Sequence, residues 1–180
     1  RGYQVRLALL GKIEDLPTDA KEMARRWDET IEPMGLSVIE NAEVLIDAIW
    51  GAGLRGPING VPAQIIEATT ERELPVIAVD VPSGVDMTDG RIHGIAFKAN
   101  TTITFFRRKT GHILQPGRNY CGEIKVIDIG IPSSVLPKIS AQTFLNEPDF
   151  WLRYYPRLKP DGHKYDRGHA VAVSGPMEST

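Results

Sequence analysis

The chain has 180 residues, of which 42% are hydrophobic and 24% charged, the balance of an ordinary soluble globular protein with room for one core and the start of another. Lys and Arg number 21 against 23 Asp and Glu, a formal net charge of −2 with no basic stripe, which argues against a nucleic-acid backbone as partner. No apolar run approaches the roughly 20 residues of a bilayer span, and the single cysteine, Cys121, forbids an internal disulfide and points to a reducing, cytoplasmic setting.

Residue 1 is arginine, and residues 3–10 (YQVRLALL) already read as a strand, so the chain is expected to begin in mid-fold. Thr18 is placed to cap a helix, and Ala20, Met23, Ala24, Trp27 and Ile31 recur at helical spacing, which predicts one buried face ended by Pro33 and Gly35. Residues 43–50 (EVLIDAIW) form a short apolar run with a single acid inside it, the pattern of a strand covered on both faces. Residues 61–72 predict a helix with Pro62 near its start and Ile65, Ile66 and Thr69 on one side. Residues 75–81 (PVIAVDV) repeat the apolar run with one acid, and 101–106 and 125–129 supply two further strands.

Strand, helix, strand, helix, strand in this order predicts βαβ units and an α/β, Rossmann-like doubly wound fold with a mainly parallel sheet. Residues 146–161 turn to Pro, aromatics and charges and read as a linker. Beyond it, residues 170–173 (AVAV) read as the strand of a second unit, and both ends of the chain look cut. The expected organisation is therefore 1–145, a linker at 146–162, and 163–180.

Ligands of an open parallel sheet bind beyond the carboxyl ends of the strands, so strand-end residues are the ones to inspect. Asp47 and Asp80 each interrupt an apolar run, and each precedes a glycine-containing turn: Gly51-Ala52-Gly53-Leu54-Arg55-Gly56-Pro57 after the first, Val81-Pro82-Ser83-Gly84 after the second. Such glycines let backbone approach a ligand and leave amides free for oxyanions. An Asp at a strand end also serves as a mere turn former. Two such acids at equivalent places weaken that reading, because a carboxylate inside VLIDAI needs a cation, a donor or a substrate.

Other polar residues carry weaker signals. His112 reads as surface or structural, with a general base as the alternative. Arg107, Arg108 and Lys109 read as a solvated basic face, with phosphate contact as the alternative. His163, Lys164 and His169 lack a carboxylate or thiolate at ligand spacing. Cys121 reads as a small buried hydrophobe, and Trp27 and Trp50 as core rather than cofactor stackers.

The segments DAIWGAGLRGPINGVPAQIIEA (47–68), PVIAVDVPSGVD (75–86), TITFFRRKTGH (102–112) and CGEIKVIDIGIP (121–132) resemble the NAD(P)H-hydrate epimerase domain. DGHKYDRGHAVAVSGP (161–176) resembles the opening of an ADP- or ATP-dependent NAD(P)H-hydrate dehydratase with a ribokinase-like fold, to which that domain is often fused. The resemblance implies potassium ligands at Asp47 and Ser83. It also implies a substrate loop at Gly51, Ala52, Gly53, Leu54, Arg55, Gly56 and Pro57, and contact of Asp80 with the hydrated nicotinamide. Another potassium ligand and further substrate contacts belong to an Asn/Gly/Asp-rich loop that would precede residue 1.

The implied substrate is NADH or NADPH hydrated at the nicotinamide ring, with a hydroxyl at C6 beside the ring nitrogen. Loss of that hydroxyl gives a planar iminium to which water returns on either face. Asp80, its pKa raised by partial burial, is then expected to act as acid and base. A dehydratase or sugar-kinase-like activity downstream, a non-catalytic binding module, and a homo-oligomer stay open as alternatives.

Overall fold

The computed structural model describes residues 2–157 and 159–175. Its contacts divide the chain into two units, Arg1–Ile139 and Ser140–Thr180. In the first unit, β1 (Leu7–Leu9), α1 (Thr18–Arg25) and β2 (Ile31–Pro33) come in order, and the two strands pair in parallel as a small sheet of their own. The predicted capping role of Thr18 is replaced by Pro17, which occupies the cap without a side-chain bond. The predicted buried face of α1 is also not formed. None of its residues is buried and Met23 is 54% exposed, so its apolar spacing meets no facing layer.

The main sheet has four parallel strands in chain order: β3 (Leu45–Asp47), β4 (Val76–Val79), β5 (Thr101–Phe105) and β6 (Glu123–Ile127). Asp47 lies opposite Ala78, Val79 opposite Ile103, and Phe105 opposite Ile127. Parallel pairing in this order brings all four carboxyl ends to one edge, where Asp47 closes β3 and Asp80 follows β4.

Within the main sheet, among the described residues, only the β3-to-β4 crossover carries an α-helix, α2 (Val61–Glu71), with Pro62 in its first turn. Its Ile65 and Ile66 join Ile39, Val76, Ala78 and Phe97 in the main core, and Thr69 is buried beside them. Because strand side chains alternate, the other face of β3 carries Ile46, which is 62% exposed. The expectation of a strand covered on both faces is thus corrected: only the face under α2 is packed. The connection from β4 to β5 is irregular, folded on itself by a Val85–Ile92 bridge and packed through Val81, Val85 and Ala96.

In the second unit, a helical turn at Pro148–Trp151 and short 3-10 turns are the only regular elements among the described residues. Residues 170–173 form no strand, and Val173 is 94% exposed. A strand needs a neighbour for its amides and carbonyls, and no ladder partner faces this segment among the described residues. The stretch 176–180 lies outside the described residues.

Candidate functional site

Asp47 is 1% exposed at the end of β3. Its Oδ2 accepts from the Ser83 amide at 2.6 Å, and its Oδ1 from the Ser83 hydroxyl at 2.6 Å and the Ile49 amide at 3.3 Å. Ser83 Oγ in turn accepts from the Trp50 amide at 3.0 Å and lies 3.3 Å from the Trp50 carbonyl oxygen. Burial raises the Asp47 pKa above the usual carboxylate value, and the Ser83 and Ile49 hydrogen bonds only partly oppose it. All of these partners are neutral, so a buried charge is solvated by dipoles alone.

Asp80 follows β4 in the left-handed region, with φ 69°. Only strong external restraint keeps a non-glycine residue there, and the restraint is visible. The Asp80 amide donates to the Ile103 carbonyl at 2.7 Å, and the Asp80 carbonyl accepts from His112 Nε2 at 2.8 Å. Oδ1 accepts from the Thr104 hydroxyl at 2.8 Å and from Lys109 Nζ. Lys109 Nζ also donates to Thr104 Oγ1 at 2.7 Å and to the Phe105 carbonyl at 3.3 Å. Oδ2 carries no hydrogen bond from protein among the described residues, and it lies 3.8 Å from where a Cβ on Gly51 would sit.

The expected upward shift at Asp80 is reversed. Burial pushes its pKa up, but the hydrogen bonds from Lys109 and Thr104, with the charge of Lys109 and a smaller contribution from His112, together hold it below the usual value. Asp80 is therefore a carboxylate at neutral pH, not a carboxylic acid. His112 is fully buried; its Nδ1 accepts from the Lys109 amide at 3.1 Å, which leaves Nε2 as the protonated nitrogen that donates to Asp80. Burial lowers the His112 pKa, so the ring is neutral. His112 thus has a structural role, and Lys109 departs from the solvated face expected of the RRK run, because its chain turns back to the sheet edge. Cys121 is buried, its thiol pushed up to about 11 by desolvation.

Two depressions lie along this edge. One, of about 360 Å³, is lined by Asp80, Lys109, Arg107, Arg108, Phe105, Phe106 and Ile131. The other, of about 400 Å³, is lined by Trp50, Gly53, Leu54, Arg55, Pro57, Ile58 and Asn59. The glycine loop is thus split: Gly53, Leu54, Arg55 and Pro57 line the second hollow, Gly51 neighbours Asp80, and Ala52 and Gly56 line neither. Asp47 and Ser83 also line neither and hold the β3 end to the turn after β4. Sequence reasoning missed Thr104 and Lys109 as partners of Asp80. The alternating TTITF strand was the one local signal that Thr104 faces inward.

A strand-end carboxylate with one free oxygen beside a glycine loop, at the carboxyl edge of a parallel sheet, defines an α/β small-molecule site. Residues 1–111 match the family described as YjeF-related protein N-terminus, and the chain belongs to that family. It is 30% identical to a bifunctional NAD(P)H-hydrate repair enzyme of Moorella thermoacetica, over 97% of this chain and 35% of that protein. It is 37% identical to an NAD(P)H-hydrate epimerase of Leuconostoc kimchii, over 73% of this chain and 59% of that protein. The chain thus spans about a third of the bifunctional relative. The crystal structure of yeast ynu0 (YNL200c) shares the fold, with a TM-score of 0.51 at 18% identity over 72% of this chain and 56% of that one. Among the described residues no helix is long and apolar enough to cross a membrane.

Proposed function

We propose that this chain forms an epimerase site for NADH or NADPH hydrated at the nicotinamide ring, interconverting the R and S forms at C6. The observation that carries the reading is Asp80: a carboxylate with Oδ1 fully held and Oδ2 free, facing Gly51 of the glycine loop. The names of the relatives support the same substrate. In this reading the loop from Gly51 to Pro57 positions the dinucleotide, Arg55 pairs with a phosphate, and Asp80 handles the proton of the C6 hydroxyl.

A potassium ion belongs to the same reading, and the donors at Asp47 fit one. A hard cation wants oxygen, and the Asp47 carboxylate, the Ser83 hydroxyl and the Trp50 carbonyl lie together here. The buried Asp47 charge has no cationic side chain among its partners, which is the deficit a bound cation removes. These three oxygens would hold the ion, which would supply positive charge where β3 meets the turn after β4. Residues 1–145 are read as epimerase-domain sequence, 146–162 as linker, and 163–180 as the opening of a dehydratase domain that uses ADP or ATP. The setting is cytoplasmic.

The test is Asp80→Asn in the full-length protein, with conversion of a single purified epimer followed by chromatography. Loss of one acid–base group should slow turnover about 100-fold or more while bound substrate is still detected. Turnover equal to the unmodified protein would remove Asp80 from the reaction.

A further inference from the structure

Epimerisation at C6 has two chemically distinct routes. In the first, the hydroxyl leaves as water and water returns to the other face; this needs a proton donor at the leaving oxygen. In the second, the hemiaminal ring opens between C6 and N1 and recloses; this needs a base at the hydroxyl and the same proton delivered to N1.

The side chains along the sheet edge favour one of these. Lys109 is the nearest charged proton carrier to Asp80. An ammonium has three donors, and those of Lys109 are directed at Asp80 Oδ1, Thr104 Oγ1 and the Phe105 carbonyl, so none is left for a ligand. The Thr104 hydroxyl hydrogen is likewise directed at Asp80. His112 is fully buried, with its one ring proton on the Asp80 carbonyl. Arg107 and Arg108, the other charged groups lining this hollow, offer guanidinium hydrogen-bond donors and no acceptor. Among the described residues, the side chains lining the hollow therefore include one carboxylate oxygen without a hydrogen-bond partner, Asp80 Oδ2, and no free acid.

We propose that Lys109 and Thr104 are positioning residues that clamp Asp80 Oδ1, so that Oδ2 acts as general base and the epimers interconvert by opening and reclosing of the reduced nicotinamide ring. This rests on the epimerase reading above. The bonds balance with a single base. Oδ2 takes the proton of the C6 hydroxyl, the C6–N1 bond breaks with its pair staying on N1, and the proton passes from Asp80 to N1. The open form is a C6 aldehyde with an N1–H conjugated through C2=C3 to the carboxamide, a neutral vinylogous amide. Rotation about C5–C6 presents the other carbonyl face. The N1 pair then attacks C6 while the proton travels back through Asp80 to the oxygen. Nothing is oxidised or reduced, and the C6 oxygen is never released.

The experiment follows that oxygen. The full-length protein converts one purified epimer of hydrated NADH in water enriched in oxygen-18, and the product epimer is separated and weighed by mass spectrometry. Retention of the original oxygen, with label no higher than in an enzyme-free control, is the expected result. One labelled oxygen gained per conversion would overturn the ring-opening route while leaving the epimerase reading intact. Absence of any conversion would sink the epimerase reading itself. The clamp is tested separately by the pH profile of kcat/KM. Lys109→Met should lower kcat about tenfold or more and move the acidic limb to higher pH, with Lys109→Arg restoring most of both. Thr104→Val should move the limb the same way by less, which covers the case that Lys109→Met does not fold. An acidic limb left in place in these folded variants would remove Lys109 and Thr104 from the role.

Discussion

Ser83 turns both of its donors onto Asp47, amide to Oδ2 and hydroxyl to Oδ1, each at 2.6 Å, across 36 residues of sequence. This pair ties the end of β3 to the turn after β4. The geometry of the whole edge depends on it, because Trp50, which lines one hollow, hangs from the same hydroxyl at 3.0 Å.

Asp47→Ala should therefore be destabilising. It strands two buried donors of Ser83, and leaving such groups unmade costs about 3 kcal/mol in total. Urea unfolding followed by circular dichroism measures it; a midpoint equal to that of the unmodified protein would show that the pair contributes nothing.

Potassium should raise the melting temperature. A ligand that binds only the folded state at 100 times its Kd adds about 2.7 kcal/mol, and Ser83→Ala should abolish the increment because it deletes one oxygen donor. Calorimetry in matched potassium and tetramethylammonium chloride makes the comparison, with equal melting curves as the contrary result.

Acid should weaken the fold partly through Asp80. Burial, which acts upward, is outweighed by the Lys109 and Thr104 hydrogen bonds and the Lys109 charge, so the folded pKa lies below the unfolded value. The stabilisation is then present above the ordinary carboxylate value and is lost as pH falls through the folded one. Asp80→Asn should flatten this part of the stability curve below the ordinary Asp pKa of about 3.9. Parallel curves for the two proteins would contradict the assignment.

Gly84 and Gly51 should respond oppositely to alanine. Gly84 has φ 104°, and a Cβ there would come 2.6 Å from Ala96 Cα, so Gly84→Ala combines a left-handed strain with a backbone clash. A loss of about 3 kcal/mol or failure to fold is expected. At Gly51 the nearest atom to a new Cβ is Asp80 Oδ2 at 3.8 Å. Gly51→Ala should leave stability within about 0.5 kcal/mol but weaken dinucleotide binding roughly tenfold, about 1.4 kcal/mol, by isothermal titration. Unaltered affinity would place the ligand elsewhere.

Periodicity and composition were enough to place β3, β4, β5 and β6, to orient α2 with Ile65, Ile66 and Thr69 inward, and to single out Asp47 and Asp80 as acids ending apolar runs. These features are local: burial repeats every two residues in a strand and every three to four in a helix, so they are written along the chain. The open face at Ile46 and the unburied face of α1 were not readable, because a pattern states what a face could bury and not whether a layer is there to cover it.

Tertiary structure alone decided the state of Asp80. Its own neighbours, VIAVDVPSG, suggest a carboxyl pushed upward by burial. The group that reverses the sign, Lys109, lies 29 residues away inside a run of three cations that reads as solvent-facing. Charge–charge and hydrogen-bond energies fall off over a few ångströms of space with no regard for sequence separation. Which base meets which cation is therefore fixed only when parallel pairing of β4 with β5 brings their ends together.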